Sequence, residues 1–310
     1  MLKKSLLKRI FLVFSTLFIL FILYLFPTNE NNNNIIKDNK EAVNQTTIYL
    51  IDNMNFVSRV NVVINNKNKI EKVKEIINYL TINSASSNYI KEGFTGIIPK
   101  NTKLLSVDID DSLVKLNFSK EFYDIDEGLE EKMISAIIYS ITGIDGIDKI
   151  SIYVDDSLLV EMPKSKTPMP PALDRGFGIN KIYDLTSIKG STSTTIYYLS
   201  KYKDYYYYVP VTMISNSVKD KIEIIIEELT SKTIYQTNLI SYLNDAKKIS
   251  YEITDDYLLI KLNSELYYDL HHNNLIETVI YSMNLSIKEN YNIKSVIYLK
   301  EDTVIKSFII

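Results

Sequence analysis

The sequence predicts an α+β fold: two tandem repeats of a small sheet covered on one face by two helices, preceded by one N-terminal transmembrane helix. Three observations carry this. One residue pattern runs through the chain twice. Within each copy the apolar spacing switches between the helical and the strand period. A single apolar stretch, Ile10 to Phe26, stands ahead of both copies.

The duplication is read residue by residue. Thr46-Thr47-Ile48-Tyr49 returns as Thr194-Thr195-Ile196-Tyr197, and Lys115-Leu116-Asn117 as Lys261-Leu262-Asn263. The quartet Val73, Ile76, Ile77, Leu80 returns as Ile222, Ile225, Ile226, Leu229, and Ile134, Ile137, Ile138, Ile141 as Ile276, Val279, Ile280, Met283. The order is kept and the offset stays near ~145, the mark of a duplicated domain. Residues 46–161 form the first copy and 194–310 the second.

Residues 1–9 hold Lys3, Lys4, Lys8 and Arg9 and no acid. The stretch 10–26 is apolar apart from Ser15 and Thr16, and at 1.5 Å per residue it spans about 25 Å, near the lower limit for crossing a bilayer. The basic cluster before it predicts a cytoplasmic N-terminus. It ends Tyr24-Leu25-Phe26-Pro27, without the small residues a cleavage site needs. No cysteine follows it to carry a lipid. It therefore reads as an uncleaved signal anchor, with the bulk of the chain extracytoplasmic. Residues 27–45, with Asn31 to Asn34, read as a flexible tether.

In the first copy, Thr47–Ile51 and Phe56–Ile64 read as strands. Lys69–Leu80 reads as a half-buried helix from its i, i+3, i+4, i+7 spacing. Asn83–Ser87 is a polar loop. Leu104–Ile109 and Leu113–Phe118 alternate around Asp110-Asp111-Ser112, a tight hairpin. Asp126 is the expected N-cap of a helix from Leu129 to Ile141, with Glu130 and Glu131 near its positive end and Gly143 and Gly146 after it. Ile150–Val154 and Leu158–Glu161 form the last hairpin around Asp155-Asp156-Ser157.

The second copy repeats this. Ile196–Leu199 and Tyr205–Met213 are strands, and Lys219–Leu229 is a helix. Tyr251–Ile253 and Leu258–Leu262 flank Asp255-Asp256, Leu275–Met283 is a helix core, and Val296–Leu299 and Val304–Phe308 flank Glu301-Asp302. Between the copies, residues 162–193 hold four of the chain's seven prolines, Pro163, Pro168, Pro170 and Pro171. They also hold apolar Leu173, Phe177, Ile179, Ile182 and Tyr183. A free linker has little need of these, so the segment is expected to pack on the domains and set their orientation.

Composition narrows the function. At 310 residues, 46% hydrophobic and 24% charged, the chain is ordinary globular protein. The formal charge is -3, and removing the four basic side chains of the first 27 residues leaves -7 on the body. A mildly acidic body argues against nucleic acid as partner. The absence of cysteine rules out disulfides, thiolate chemistry and Cys-based zinc sites. His271 and His272 are neighbours in sequence, which rarely both face one ion, and the first copy has no counterpart. Asp124, Asp126, Glu127, Glu130 and Glu131 lack calcium-loop spacing and read as a helix start. The hairpin aspartates, as paired carboxylates, would suit sugar hydrolysis, but their recurrence at four turns reads as turn chemistry. No catalytic, cofactor or metal set is found, and the chain is read as no enzyme.

The boldest local feature is Tyr205-Tyr206-Tyr207-Tyr208, with Tyr202 nearby. Alternate strand residues face opposite sides, so one pair joins the core and the other is exposed. Tyr202, Tyr206 and Tyr208 are the candidate interaction surface, able to stack on glycan or anchor a protein contact.

Further segments are informative together: Ile98-Pro99-Lys100-Asn101-Thr102-Lys103-Leu104 leading into a strand, Leu116-Asn117-Phe118-Ser119, the helix-plus-strand ending of each copy, and the link Pro170-Pro171-Ala172-Leu173-Asp174-Arg175 to Gly178-Ile179-Asn180. With these, residues Thr46 to Ile310 resemble the GerM family, extracytoplasmic proteins of spore formation and germination built from two GerMN domains. The chain departs from that pattern where a Gly-Pro often follows the first helix, having Thr81-Ile82 and Ser231-Lys232 instead. Many relatives are lipoproteins, whereas this chain has only its helix as anchor. The resemblance implies a ring-building-motif-like fold and a non-enzymatic role, assembling or stabilising an envelope complex between mother cell and forespore. The implied partners are envelope and sporulation-complex proteins, with the cytoplasmic membrane held through the N-terminal helix. The alternative expectation is a cell-wall or ligand-binding envelope protein, with peptidoglycan as partner and no tie to sporulation.

Overall fold

The computed structural model describes residues 45–230, 239, 243 and 248–309. The basic segment 1–9, the predicted transmembrane helix 10–26 and the tether to residue 44 lie outside the described residues, as do Ser231 and Lys232. Among the described residues no helix is long and apolar enough to cross a membrane.

The first copy runs β1 (Gln45–Asp52), β2 (Val57–Val63), α1 (Lys69–Leu80), β3 (Phe94–Thr95), β4 (Leu104–Asp110), β5 (Leu113–Phe118), α2 (Glu127–Ile141), β6 (Lys149–Val154) and β7 (Ser157–Leu158). The connecting segment contributes β8 (Ile182–Asp184). The second copy runs β9 (Thr192–Tyr202), β10 (Tyr205–Ser215), α3 (Lys221–Thr230), β11 (Ile249–Ile253), β12 (Tyr257–Leu262), α4 (Ser264–His272), α5 (Ile276–Asn290), β13 (Ser295–Lys300) and β14 (Thr303–Ile309). The repeat seen in sequence is thus a repeat of elements, and the class is α+β.

Local chemistry accounts for most of these. Asn68 caps α1, its Oδ1 accepting from the Glu71 N–H at 3.2 Å. Val73, Ile76, Ile77 and Leu80 are buried on one side of that helix, each contributing roughly 1.5–3 kcal/mol as an upper bound. Asp126 does stand at the N-cap position of α2, but its side chain makes no capping bond. The hairpin turns follow the acidic pairs. Val154 pairs with Ser157, leaving Asp155 and Asp156 as the turn residues. Both lie at positive φ, 46° and 62°, which a twist-matched two-residue turn requires and aspartate tolerates. Asp111 and Glu301, both at φ 53°, do the same in their hairpins.

The expected single sheet per copy with helices on one face is not what forms. Each copy divides its strands between two sheets. Its last four strands make a sheet of their own, β4-β5-β6-β7 in the first copy and β11-β12-β13-β14 in the second, each with a parallel pair at its centre. The leading hairpins, β1–β2 and β9–β10, instead meet in one six-stranded sheet, ordered β3-β1-β2-β10-β8 with β9 on β10. The reason lies in α2. Met133 through Ile141 are all buried, so one apolar face against one sheet cannot satisfy this helix. It packs against β1 and β2, β6 and α1. α5 is related in the same way to β9, β10 and α3.

The segment between the copies runs along both. Leu173 exchanges two backbone hydrogen bonds with Ile150 of β6, each 2.8 Å. The buried carboxylate of Glu130, in the first turn of α2, accepts from the backbone N–H groups of Lys164 (2.7 Å) and Ser165 (3.1 Å). β8 pairs in parallel with the end of β10. Where β2 and β10 meet, their only paired residues are Arg59 and Tyr208. Asn180 completes that junction. Its Oδ1 accepts from the Val57 N–H at 2.9 Å, and its Nδ2 donates to the carbonyls of Val57 (2.8 Å) and Pro210 (2.7 Å).

Candidate functional site

Tyr49 and Tyr197 occupy equivalent places in the two copies, and their hydroxyls hydrogen-bond to each other at 2.9 Å in the interior. The surroundings repeat as well. The Tyr49 N–H donates to Ser140 Oγ of α2, and the Tyr197 N–H to Ser286 Oγ of α5, both at 2.9 Å. Each long helix is therefore fastened to its hairpin by a serine. The two copies meet on a near-symmetric seam.

Arg175, from the connecting segment, breaks the symmetry. Its Nη1 pairs with Glu289 Oε2 of α5 at 2.6 Å, its Nε donates to Thr142 Oγ1 at 3.0 Å, and its Nη2 donates to the Tyr139 carbonyl at 3.1 Å. Its guanidinium also lies 4.7 Å from the Tyr139 ring centre. A cation thus sits at the C-terminal end of α2, where the helix dipole favours it. Burial works against the charge on Arg175, but Tyr49 and Glu289 outweigh it and hold its pKa above the ordinary value. Burial, followed by Glu289, pushes the Tyr197 and Tyr139 hydroxyls well up. The Tyr197 hydroxyl is a donor, to Glu289 Oε2 at 3.1 Å.

The tyrosine tract serves the same seam. Tyr205 and Tyr207 point to Phe94 of the first copy, Tyr207 edge-on at 5.0 Å. The Tyr207 hydroxyl donates to Asp52 Oδ2 at 3.0 Å. Asp52 also holds the β1–β2 turn, accepting from the Met54 and Phe56 N–H groups at 2.9 Å and from Ser58 Oγ at 2.8 Å. Burial first, then the Asp52 charge, raises the Tyr207 pKa.

Of the three tyrosines expected at the surface, only Tyr206 is exposed. Tyr208 is part-buried, its ring 5.2 Å from Tyr281 of α5. Burial, then Tyr281, pushes its pKa up to about 12. Tyr202 sits against the loop of the first copy, its hydroxyl donating to Glu92 Oε1 at 3.3 Å beside the 2.6 Å pair of Lys203 and Glu92. Gly93 of that loop, at φ +93°, leaves room for the Tyr202 ring: a Cβ there would lie 3.0 Å from it. Strand alternation predicted an exposed pair, Tyr206 and Tyr208. α5 covers Tyr208, whose ring meets Tyr281 and whose hydroxyl donates to the Thr278 carbonyl at 3.5 Å.

The other sequence candidates stay apart. His271 and His272 are exposed on α4, a helix not expected from the sequence. The hairpin aspartates Asp111, Asp155, Asp156, Asp255 and Asp256 are exposed at separate turns. Among the described residues no three His, Asp or Glu side chains gather to hold a metal ion.

This arrangement has known counterparts. The family model for sporulation and spore germination, Germane, matches residues 47–160, from β1 to just past β7. The spore germination protein GerM of Bacillus subtilis (strain 168) is 28% identical over 277 residues, covering 86% of this chain and 74% of the relative. The solved tandem GerMN domains of the sporulation protein GerM from Bacillus subtilis superpose with a TM-score of 0.72 at 25% identity, covering 84% of this chain and 91% of that one.

The chain is a GerM-like protein with tandem GerMN domains. This places it among proteins of sporulation and spore germination. In this GerM-like chain the seam between the GerMN domains also holds a cleft of about 630 Å³ lined by residues of both domains, Arg59 and Thr142 from the first, Tyr281 and Lys288 from the second, with Arg175 between them. A second cleft, about 720 Å³, lies on the first domain alone, between α1 and the strand start at Leu104, and is lined mainly by amides, hydroxyls and charged side chains. The functional residue that sequence reasoning missed is Arg175. It was visible only as one residue in a link whose apolar neighbours suggested packing.

Proposed function

We propose that this chain is a non-enzymatic, membrane-anchored, extracytoplasmic protein that assembles or stabilises an envelope complex between mother cell and forespore. The observation that carries the reading is the likeness to the tandem GerMN domains of GerM across both domains and their connection. Two features support it. The stretch 10–26 behind four basic residues suits a signal anchor with the body outside the cytoplasm. Two domains locked through a shared sheet and the Arg175 seam suit a rigid spacer presenting surfaces to partners. Tyr206, exposed at the hairpin end, is the proposed contact of the tyrosine tract.

The test is deletion in the source organism, scored by heat-resistant spore counts and microscopy of engulfment. The expected result is a sharp loss of spores, restored by the full chain and not by a version lacking residues 1–27. Normal sporulation in the deletion strain would overturn the reading. Restoration by the shortened version would overturn the anchor alone.

A further inference from the structure

We propose that the cleft between the two GerMN domains is an oxyanion-binding site for a small molecule bearing a carboxylate or phosphate. Its volume, about 630 Å³, falls within the roughly 300–1,000 Å³ of small-molecule sites. Its charged lining is Arg59, Arg175, Lys288 and Glu289, three cations and one anion. Glu289 is already committed to Arg175 at 2.6 Å and to the Tyr197 hydroxyl at 3.1 Å. Arg59 and Lys288 have no carboxylate within ion-pair distance among the described residues. Arg59 is held in place instead by Thr47 Oγ1, to which Nη2 donates at 2.9 Å, and by the Tyr281 ring at 5.7 Å. A cleft lined by excess charge of one sign concentrates counter-ions, here inside a chain whose formal net charge is -3.

Thr47, Thr142 and Asn284 add polar side chains to the lining. Tyr281 also lines the cleft. Cationic groups, the guanidiniums of Arg59 and Arg175 and the ammonium of Lys288, therefore line the cleft from both domains and from the segment between them. That set matches an oxyanion with several acceptor lone pairs.

The experiment is thermal unfolding of the full chain in a non-ionic detergent, followed by far-UV circular dichroism at fixed ionic strength. The probes are inorganic phosphate and citrate, with chloride as control. A ligand of the native state raises Tm in a saturable way, and that is the expected result for phosphate or citrate. Lys288→Gln and Arg59→Gln are each expected to weaken the apparent affinity by about tenfold or more. Lys288 is exposed, so loss in that variant does not come from misfolding. A parallel arm dopes the micelles with phosphatidylglycerol. A rise there that Lys288→Gln abolishes, without a response to free anions, assigns the oxyanion to a lipid headgroup. No saturable rise in any arm, or an equal rise in both variants, overturns the proposal.

Discussion

Replacing Arg175 by Met keeps length and volume but removes the charge that joins the two domains. The variant loses the 2.6 Å pair with Glu289, the 3.0 Å bond to Thr142 Oγ1, the 3.1 Å bond to the Tyr139 carbonyl and the ring contact with Tyr139. Removing one partner of a buried pair costs about 3–5 kcal/mol, because the other charge is left uncompensated. Two facts reduce this. The Arg175 side chain is 31% exposed while that of Glu289 is 9% exposed, and the Tyr197 hydroxyl still donates to Glu289. We expect about 2–3 kcal/mol of destabilisation. The assay is urea unfolding followed by far-UV circular dichroism, with a lower midpoint and an unchanged slope. Glu289→Gln measured alone and together with Arg175→Met closes a double-mutant cycle, with an expected coupling of about 1–2 kcal/mol. Single effects that add to within about 0.5 kcal/mol would refute the coupling. A loss below about 0.5 kcal/mol for Arg175→Met would refute the view that this side chain locks the seam.

Three further outcomes follow from the same geometry. Tyr197→Phe removes a hydroxyl shared by Tyr49 and Glu289 and should cost about 1–3 kcal/mol in chemical denaturation, whereas Tyr49→Phe, which leaves Tyr197 bonded to Glu289, should cost less. Asn180→Ala loses three bonds to Val57 and Pro210 as well as a side chain suited to φ 46°; we expect about 2–4 kcal/mol, with Asn180→Gly milder because glycine keeps the backbone angle. Burial, partly offset by the bond from the Tyr198 hydroxyl, raises the Glu228 pKa above 4.5. The folded state then holds more protons than the unfolded one just above pH 4.5, so this group's contribution to stability falls as pH rises through that window. Glu228→Gln should flatten that part of the stability–pH profile, and an unchanged profile would contradict the assignment.

Much of the local structure was legible in the residues. The i, i+3, i+4, i+7 spacing placed α1 at Lys69–Leu80, with the bounds the structure gives. The acidic pairs placed the hairpin turns, because aspartate tolerates positive φ there. α4 escaped notice because Leu266 and Leu270 are its only buried residues, too few to display a helical period. The tyrosine tract shows the limit on the site side. Alternation correctly separated Tyr205 and Tyr207 from Tyr206 and Tyr208, but whether a face meets solvent depends on what covers it. Here α5, some 70 residues further along the chain, brings Tyr281 against Tyr208.

The sequence by itself determined the duplicated α+β unit, the order of its elements and the place of its turns, since periodicity, capping and turn preference act over a few residues. Only the tertiary structure decided that the two leading hairpins share one sheet, that Tyr49 meets Tyr197 across 148 positions, and that Arg175 reaches Glu289 114 positions away. Those pairings are fixed by which apolar faces and buried polar groups must be satisfied together once the chain is compact. No local pattern encodes that requirement.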